Sequence, residues 1–149
     1  MKKIKLYTDG SCLKNPGGRG GYAAILLYKG SKRVIKGGMQ STTNNQMEMM
    51  AVLRGLEAIK EACHIDLYSD SQYVLKGLKS WIHGWKKNNW KTKSKQEVKN
   101  VELWQQLDQA ASLHSIEYIW VKGHSGDPYN EEADQIAYSE AHKFKKKAR

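Results

Sequence analysis

The sequence predicts an α/β fold built on a mixed sheet. Three observations predict it: an alternating segment at the N-terminus followed by a hairpin pattern, an amphipathic helical stripe directly after that hairpin, and a subsequent alternation of short strands with helical segments. A chain of 149 residues fits one domain, 1–149, and a domain of this size buries roughly two-thirds of its unfolded surface.

Lys3 to Thr8 alternates Lys3, Lys5 and Tyr7 with Ile4, Leu6 and Thr8, so it reads as a strand, and a Gly/Asn/Pro-rich loop is expected over Gly10 to Gly21. Tyr22 to Tyr28 and Lys32 to Met39 form a hairpin around Lys29-Gly30-Ser31. Met49, Val52, Leu53, Leu56, Ile59 and Cys63 then recur at helical spacing, beginning just after Asn44-Asn45. Ile65 to Ser69 is a short strand, and Val74, Leu78, Trp81 and Trp85 mark a second helical stripe. Val101 to Leu113 is a helix, Ile116 to Val121 the last strand, and Asn130 to His142 the last helix.

Composition narrows the partner. Lys and Arg total 25 against 15 Asp and Glu, a formal charge of +10, which favours a polyanion because lysines that meet phosphates release condensed counterions. Eight lysines against the single acid Glu97 lie between Lys76 and Lys99, and this stretch alone carries +7. The segment at about 81–99 is expected to be a basic helical protrusion; the basic tail from Lys143 to Arg149 receives no role. No stretch approaches the ~20 apolar residues of a membrane span and no long apolar leader precedes Asp9, so a cytoplasmic protein without a membrane partner is expected. Cys12 and Cys63 form no CxxC pair and read as free thiols.

Four acids stand where chemistry is built in open α/β sheets. Asp9 ends the first strand, Asp70 ends the fourth, Glu48 sits in the first turn of the first long helix, and Asp134 lies in the last helix. Phosphodiester hydrolysis needs an activated water, a stabilised transition state and an assisted leaving oxygen, and two Mg²⁺ ions about 4 Å apart supply all three. Magnesium takes hard oxygen ligands, so converging carboxylates are the residue type to seek. Taken singly, each acid also has an ordinary explanation. Glu48 could be the capping partner of Asn45, Asp9 and Asp70 could be turn residues, and Asp134 a solvated helix acid. His124, in the loop Val121-Lys122-Gly123-His124, is either an exposed loop histidine or a proton carrier. His64, His83, His114 and His142 show no motif.

Together the segments are more specific. Tyr7-Thr8-Asp9-Gly10-Ser11, Thr43-Asn44-Asn45-Gln46-Met47-Glu48, Ser69-Asp70-Ser71-Gln72-Tyr73, Trp81-Ile82-His83-Gly84-Trp85-Lys86-Lys87, and Val121-Lys122-Gly123-His124 followed by Asn130-Glu131-Glu132-Ala133-Asp134 resemble bacterial ribonuclease HI in content, order and spacing across nearly the whole chain. The resemblance implies a ribonuclease H-like fold, a five-stranded mixed sheet with helices on both faces. It implies an endonuclease that hydrolyses the RNA strand of RNA–DNA hybrids by two-metal-ion catalysis, leaving 5′-phosphate and 3′-hydroxyl ends. Asp9, Glu48, Asp70 and Asp134 would be the metal-binding catalytic acids, for Mg²⁺ with Mn²⁺ as a substitute, and His124 would assist proton transfer or product release.

By the same resemblance Gly10, Asn44, Glu48 and Gln72 would line the RNA minor-groove edge, where 2′-hydroxyls distinguish RNA from DNA. Thr43 and Asn100 match positions that hold a DNA phosphate, and Trp81, Trp85, Lys86, Lys87 and Lys91 would belong to the substrate handle of a monomeric enzyme. Packing inside a helical pair is the alternative job of the two tryptophans. Two departures stand out: an extra residue in the glycine loop Leu13 to Gly21, and Gln46 where an arginine is often found. A related-fold DNA-processing nuclease and a non-catalytic hybrid-binding module are the rival readings.

Overall fold

The computed structural model describes residues 1–123 and 125–144. Five strands form one sheet, β1 (Lys2–Cys12), β2 (Gly20–Tyr28), β3 (Ser31–Met39), β4 (Cys63–Ser69) and β5 (Ser115–Trp120), in the order β3-β2-β1-β4-β5. The first three pair antiparallel, and β4 and β5 add parallel to β1, so the sheet is mixed as expected.

The central strand is longer than its alternation suggests. β1 continues through Asp9 and Gly10 to Cys12, which pairs with Gly20, and Asp9 therefore lies inside the strand instead of ending it. Gly10 and Ser11 are poor strand formers, and pairing with β2 overrides that preference. The β2–β3 hairpin closes on the two-residue turn Lys29-Gly30, both with positive φ (46° and 79°), the hand that matches the twist of the flanking strands.

Helix α1 (Asn44–Glu57) starts at Thr43, whose hydroxyl accepts a hydrogen bond from the Gln46 amide at 3.1 Å. This removes the capping explanation for Glu48, which lies five residues after the cap, two further in than a cap at Asn45 would put it. Cys63, which continued the helical spacing, belongs instead to β4: the chain leaves the helix after Glu57 and Cys63 is buried as the strand's first residue. The next segment is helical from Gln72 to Lys87, in three pieces: α2 (Gln72–Lys76), a π-helical turn (Gly77–Trp81) and α3 (Ile82–Lys87). The wider turn lies where Gly77 meets the fully buried Trp104 indole, leaving no room for a Cβ. Beyond Lys87 the basic segment is not helical; it is a run of turns with one bridge between Lys91 and Glu97.

Helix α4 (Val101–Ser112) packs on α1, and α5 (Pro128–His142) crosses the opposite sheet face over β1, β2 and β3. Helix α5 begins two residues earlier than expected, because Asp127 caps it by accepting from the amides of Tyr129 and Asn130, with Pro128 as its first residue. The two faces carry separate cores. Leu6, Met49, Val52, Leu53, Leu56, Ile65, Leu67, Trp104 and Leu107 are buried on the α1 side, and Tyr7, Ala23, Ile25, Ala133 and Ala137 on the α5 side. Each fully buried Leu or Ile contributes ~1.5–3 kcal/mol, so strand alternation alone fixes which face of β1 each residue takes. Among the described residues no helix is long and apolar enough to cross a membrane.

Candidate active site

The parallel register of β1 and β4, with Tyr7 opposite Tyr68, brings Asp9, inside β1, level with Asp70, the residue that follows β4. Glu48 reaches the same point from α1. Gly10 makes this possible, since a Cβ there would overlap the backbone of Met47 and Glu48. The ligand oxygens of Asp9, Glu48 and Asp70 all lie within 4.8 Å of one another.

This cluster is electrostatically uncomfortable. Asp9 is 3% exposed and Glu48 8%. Burial, with the Asp70 charge and then Asp134 adding to it, pushes the Asp9 carboxyl up to about 9. Burial followed by the charges of Asp9 and Asp70 holds Glu48 well above the usual carboxylate range. Asp134, on α5, adds its charge to the surroundings of Asp9, so the fourth acid acts on the cluster from the helix that covers the opposite face of the sheet. No lysine or arginine among the described residues pairs with any of the four.

Oδ2 of Asp9 and Oε1 of Glu48 are buried without a hydrogen-bond partner. Orphaned oxygens among like charges suit a hard divalent cation, which would satisfy them and relieve the repulsion.

The RNase H family pattern matches residues 1–142. The chain belongs to the RNase H family. A ribonuclease H from Edwardsiella ictaluri (strain 93-146) is 53% identical over 137 residues, covering 92% of this chain and 88% of that one. The crystal structure of LC9-RNase H1, a type 1 RNase H with the type 2 active-site motif, superposes with a TM-score of 0.88 at 31% identity, covering 96% of this chain and 74% of that one. LC11-RNase H1, solved with an RNA/DNA hybrid, shares the fold at a TM-score of 0.68 and 18% identity, over 94% of this chain and 97% of that one. The family is metal-dependent, in keeping with the acid cluster.

Around the acids of this RNase H the structure arranges the other expected positions unevenly. Gln72 opens α2 just after Asp70, where Ser71 caps the helix by accepting from the Val74 amide. The Asn44 amide donates to Asn15 Oδ1 at 3.1 Å, tying the glycine loop to the start of α1. Thr43 and Asn100, 57 positions apart, meet through Gln46: its backbone amide donates to Thr43 and its side-chain amide donates to Asn100 Oδ1 at 3.2 Å. Asn100 in turn donates to the Tyr73 hydroxyl. Gln46, which stands where an arginine is often found, is the link between the two.

Trp85 is packed, 5.4 Å between ring centroids from Trp104 and 6.0 Å from Trp81, whereas Trp81 is 39% exposed. Lys86 is not free of acids, since its ammonium pairs with Asp108 of α4 at 3.2 Å. That partner is 22 residues away, beyond the reach of a local count of charges. Lys87 and Lys91 have no acidic partner among the described residues.

His124 lies outside the described residues. The adjoining Gly123 sits against Asp70, with its Cβ position 3.1 Å from Oδ2. Trp120 was not expected at the site; its indole N–H donates to the Asp70 carbonyl at 3.3 Å, holding the end of β5 to the end of β4. A tryptophan closing the last strand, just before the His124 loop, was the available signal.

Proposed function

We propose that this RNase H hydrolyses the RNA strand of RNA–DNA hybrids at the cluster of Asp9, Glu48, Asp70 and Asp134, with Mg²⁺ as the ion. The observation that carries this reading is the convergence of three buried or half-buried carboxylates within 4.8 Å, two of them with orphaned oxygens. Bound Mg²⁺ would supply an activated water, charge stabilisation at the phosphoryl group and help for the leaving 3′ oxygen. Asp9 and Glu48, rigidly held in β1 and α1, would hold the ions, and Asp70 and Asp134 would complete the ligand set. Divalent charge would favour the ionised form of Asp9 and Glu48, which burial and their neighbours oppose. Cleavage at the 3′ oxygen would leave 5′-phosphate and 3′-hydroxyl ends.

Gly10 beside Asp9, Asn44 at the start of α1 and Gln72 at the start of α2 suit contact with the ribose edge of the RNA strand, where the 2′-hydroxyl distinguishes it. Thr43 and Asn100, joined through Gln46, suit one phosphate of the DNA strand. The exposed Trp81 face and Lys87 and Lys91, without an acidic partner among the described residues, suit the same strand further along, on a basic segment projecting from a single domain. Trp85, half-buried against the core, supports Trp81, and Lys86 contributes less because Asp108 already holds it. His124 would receive or deliver a proton at the product phosphate. The enzyme would act as a monomer in the cytoplasm.

Labelled RNA–DNA hybrid, duplex DNA and duplex RNA, each incubated with and without Mg²⁺, test this reading. Cleavage of the hybrid's RNA strand alone, and only with the ion, is expected. Cleavage of duplex DNA would favour a DNA-processing nuclease, and hybrid binding without cleavage in Mg²⁺ a binding module.

A further inference from the structure

A second set of metal-ligating side chains lies away from the catalytic acids. Strand β4 alternates, with Cys63, Ile65 and Leu67 buried beneath α1 and α4 and His64, Asp66 and Tyr68 on the other face. Helix α5 packs on that face over β1, β2 and β3, so the half formed by β4 and β5 lies beyond it. Asp66 is the register partner of Glu117 on β5, and His64 lies two residues before Asp66 on the same face. One ligand atom from each of the three falls within 4.8 Å of the others.

Internal pairing within the set is incomplete. His64 Nε2 lies 3.2 Å from Asp66 Oδ1, and this is the only ion pair of Asp66 among the described residues. Glu117 is exposed and has no hydrogen bond or ion pair there. The three side chains spring from two adjacent hydrogen-bonded strands, so their backbone spacing is already fixed. Ligands ~2.1 Å from a tetrahedral ion stand ~3.4 Å apart, and rotamer adjustment alone closes the remaining gap. One imidazole with two carboxylates selects a borderline transition ion such as Zn²⁺ or Co²⁺ over Mg²⁺, whose preference is for oxygen alone.

We propose that His64, Asp66 and Glu117 form a transition-metal site that clamps the edge strand β5 to β4 and stands apart from the reaction. Asp66 and Asp70 are four residues apart along β4, about 13 Å at strand rise, so one ion cannot serve both clusters. Lys3 and Lys5, the β1 register partners of His64 and Asp66, oppose a cation and set the affinity low.

The test titrates Zn²⁺ into the protein in excess Mg²⁺, which occupies the catalytic acids, and follows imidazole NMR signals and melting temperature. The parent should bind one equivalent with a shift of the His64 ring signals and a rise in melting temperature. His64→Ala and the exposed, conservative Glu117→Gln should each weaken binding at least ~10-fold, while Lys5→Ala should tighten it. Hybrid cleavage in Mg²⁺ alone should be the same in the parent and both ligand variants, so this site and the catalytic reading fail separately. Equal Zn²⁺ binding by the parent and folded Glu117→Gln, or Zn²⁺ that binds only by displacing Mg²⁺, overturns the site.

Discussion

The backbone of Gly10 lies directly against that of Glu48, with no room for a side chain between them. The contact sets how closely β1 and α1 approach, and thereby how closely Asp9 and Glu48 share space. Gly10→Ala would drive the helix away from the strand, and a shift of about 1 Å at reacting groups is worth ~10²-fold in rate. The expected outcome is a folded protein with kcat lower by about that factor and a weakened Mg²⁺ dependence. Parent-like turnover at saturating Mg²⁺ would show that the approach is not needed.

Asp9 and Asp70 separate catalysis from stability. A carboxyl raised on folding binds its proton more tightly in the native than in the unfolded chain. Stability therefore falls as pH rises from near the ordinary value of 3.8 toward about 9. Asp9→Asn removes this penalty and should raise the melting temperature at pH 8 by more than at pH 5. A gain of at least ~1.4 kcal/mol, one pKa unit's worth, is expected at the higher pH. Mg²⁺ should stabilise the parent more than the variant. Asp70→Asn should nearly abolish cleavage while leaving hybrid binding largely intact, since the basic surface is untouched. Calorimetry across pH, with binding and cleavage measured side by side, checks both variants, and cleavage by Asp70→Asn within tenfold of the parent would remove Asp70 from the machinery.

The acid cluster was legible only as a set: singly each acid had an ordinary explanation, and the resemblance of the segments around them named the four. Asp9 and Asp70 are flanked by small polar residues, and parallel pairing of β1 with β4 is enough to align them, although β1 runs three residues beyond Asp9. What escaped the sequence is tertiary. Gly10 and Ser11 look like loop until β2 supplies partners, and the π turn begins at Gly77, where Trp104 arrives from another helix. The Lys86–Asp108 pair is equally invisible in a local charge count. The α5 start is different: Asp127-Pro128 is a helix-start signal that the apolar spacing from Asn130 obscured.

His114 showed no sequence motif, yet its Nδ1 accepts the Cys63 amide at 3.1 Å while Nε2 is buried without a partner. Burial lowers its pKa from the ordinary 6.5, so the folded protein holds the neutral ring. The unfolded chain then binds the extra proton first as pH falls below about 6.5, and stability drops until the folded-state pKa is passed. Replacing His114 with Ala leaves the buried Cys63 amide unpaired, a loss of about 1–3 kcal/mol. The urea midpoint of the parent should fall between pH 7 and pH 5 more than that of the variant. Parallel pH profiles would mean that His114 does not titrate with folding.

The lysines of the segment from Trp81 to Lys99 should act on binding and not on chemistry, and the structure ranks them. Lys86 is held by Asp108, so removing it deletes a phosphate partner and also frees a carboxylate near the same surface. Lys87, Lys91 and Lys93 have no such partner among the described residues. Exposed ion pairs contribute ~0–1 kcal/mol, so none of these changes should move the melting temperature by more than a degree or two. The triple variant Lys87→Ala, Lys91→Ala, Lys93→Ala should raise KM at least tenfold, leave kcat near the parent value, and flatten the salt dependence of hybrid binding. The log–log slope should fall by about 0.7–0.9 for each phosphate that the protein no longer neutralises. Asp108→Ala tests the ranking from the other side: freeing Lys86 should steepen the salt slope and lower KM slightly. Unchanged KM and salt slope in the folded triple variant would place the DNA strand elsewhere on the protein. A fall in kcat alone would bring these lysines to the chemistry itself.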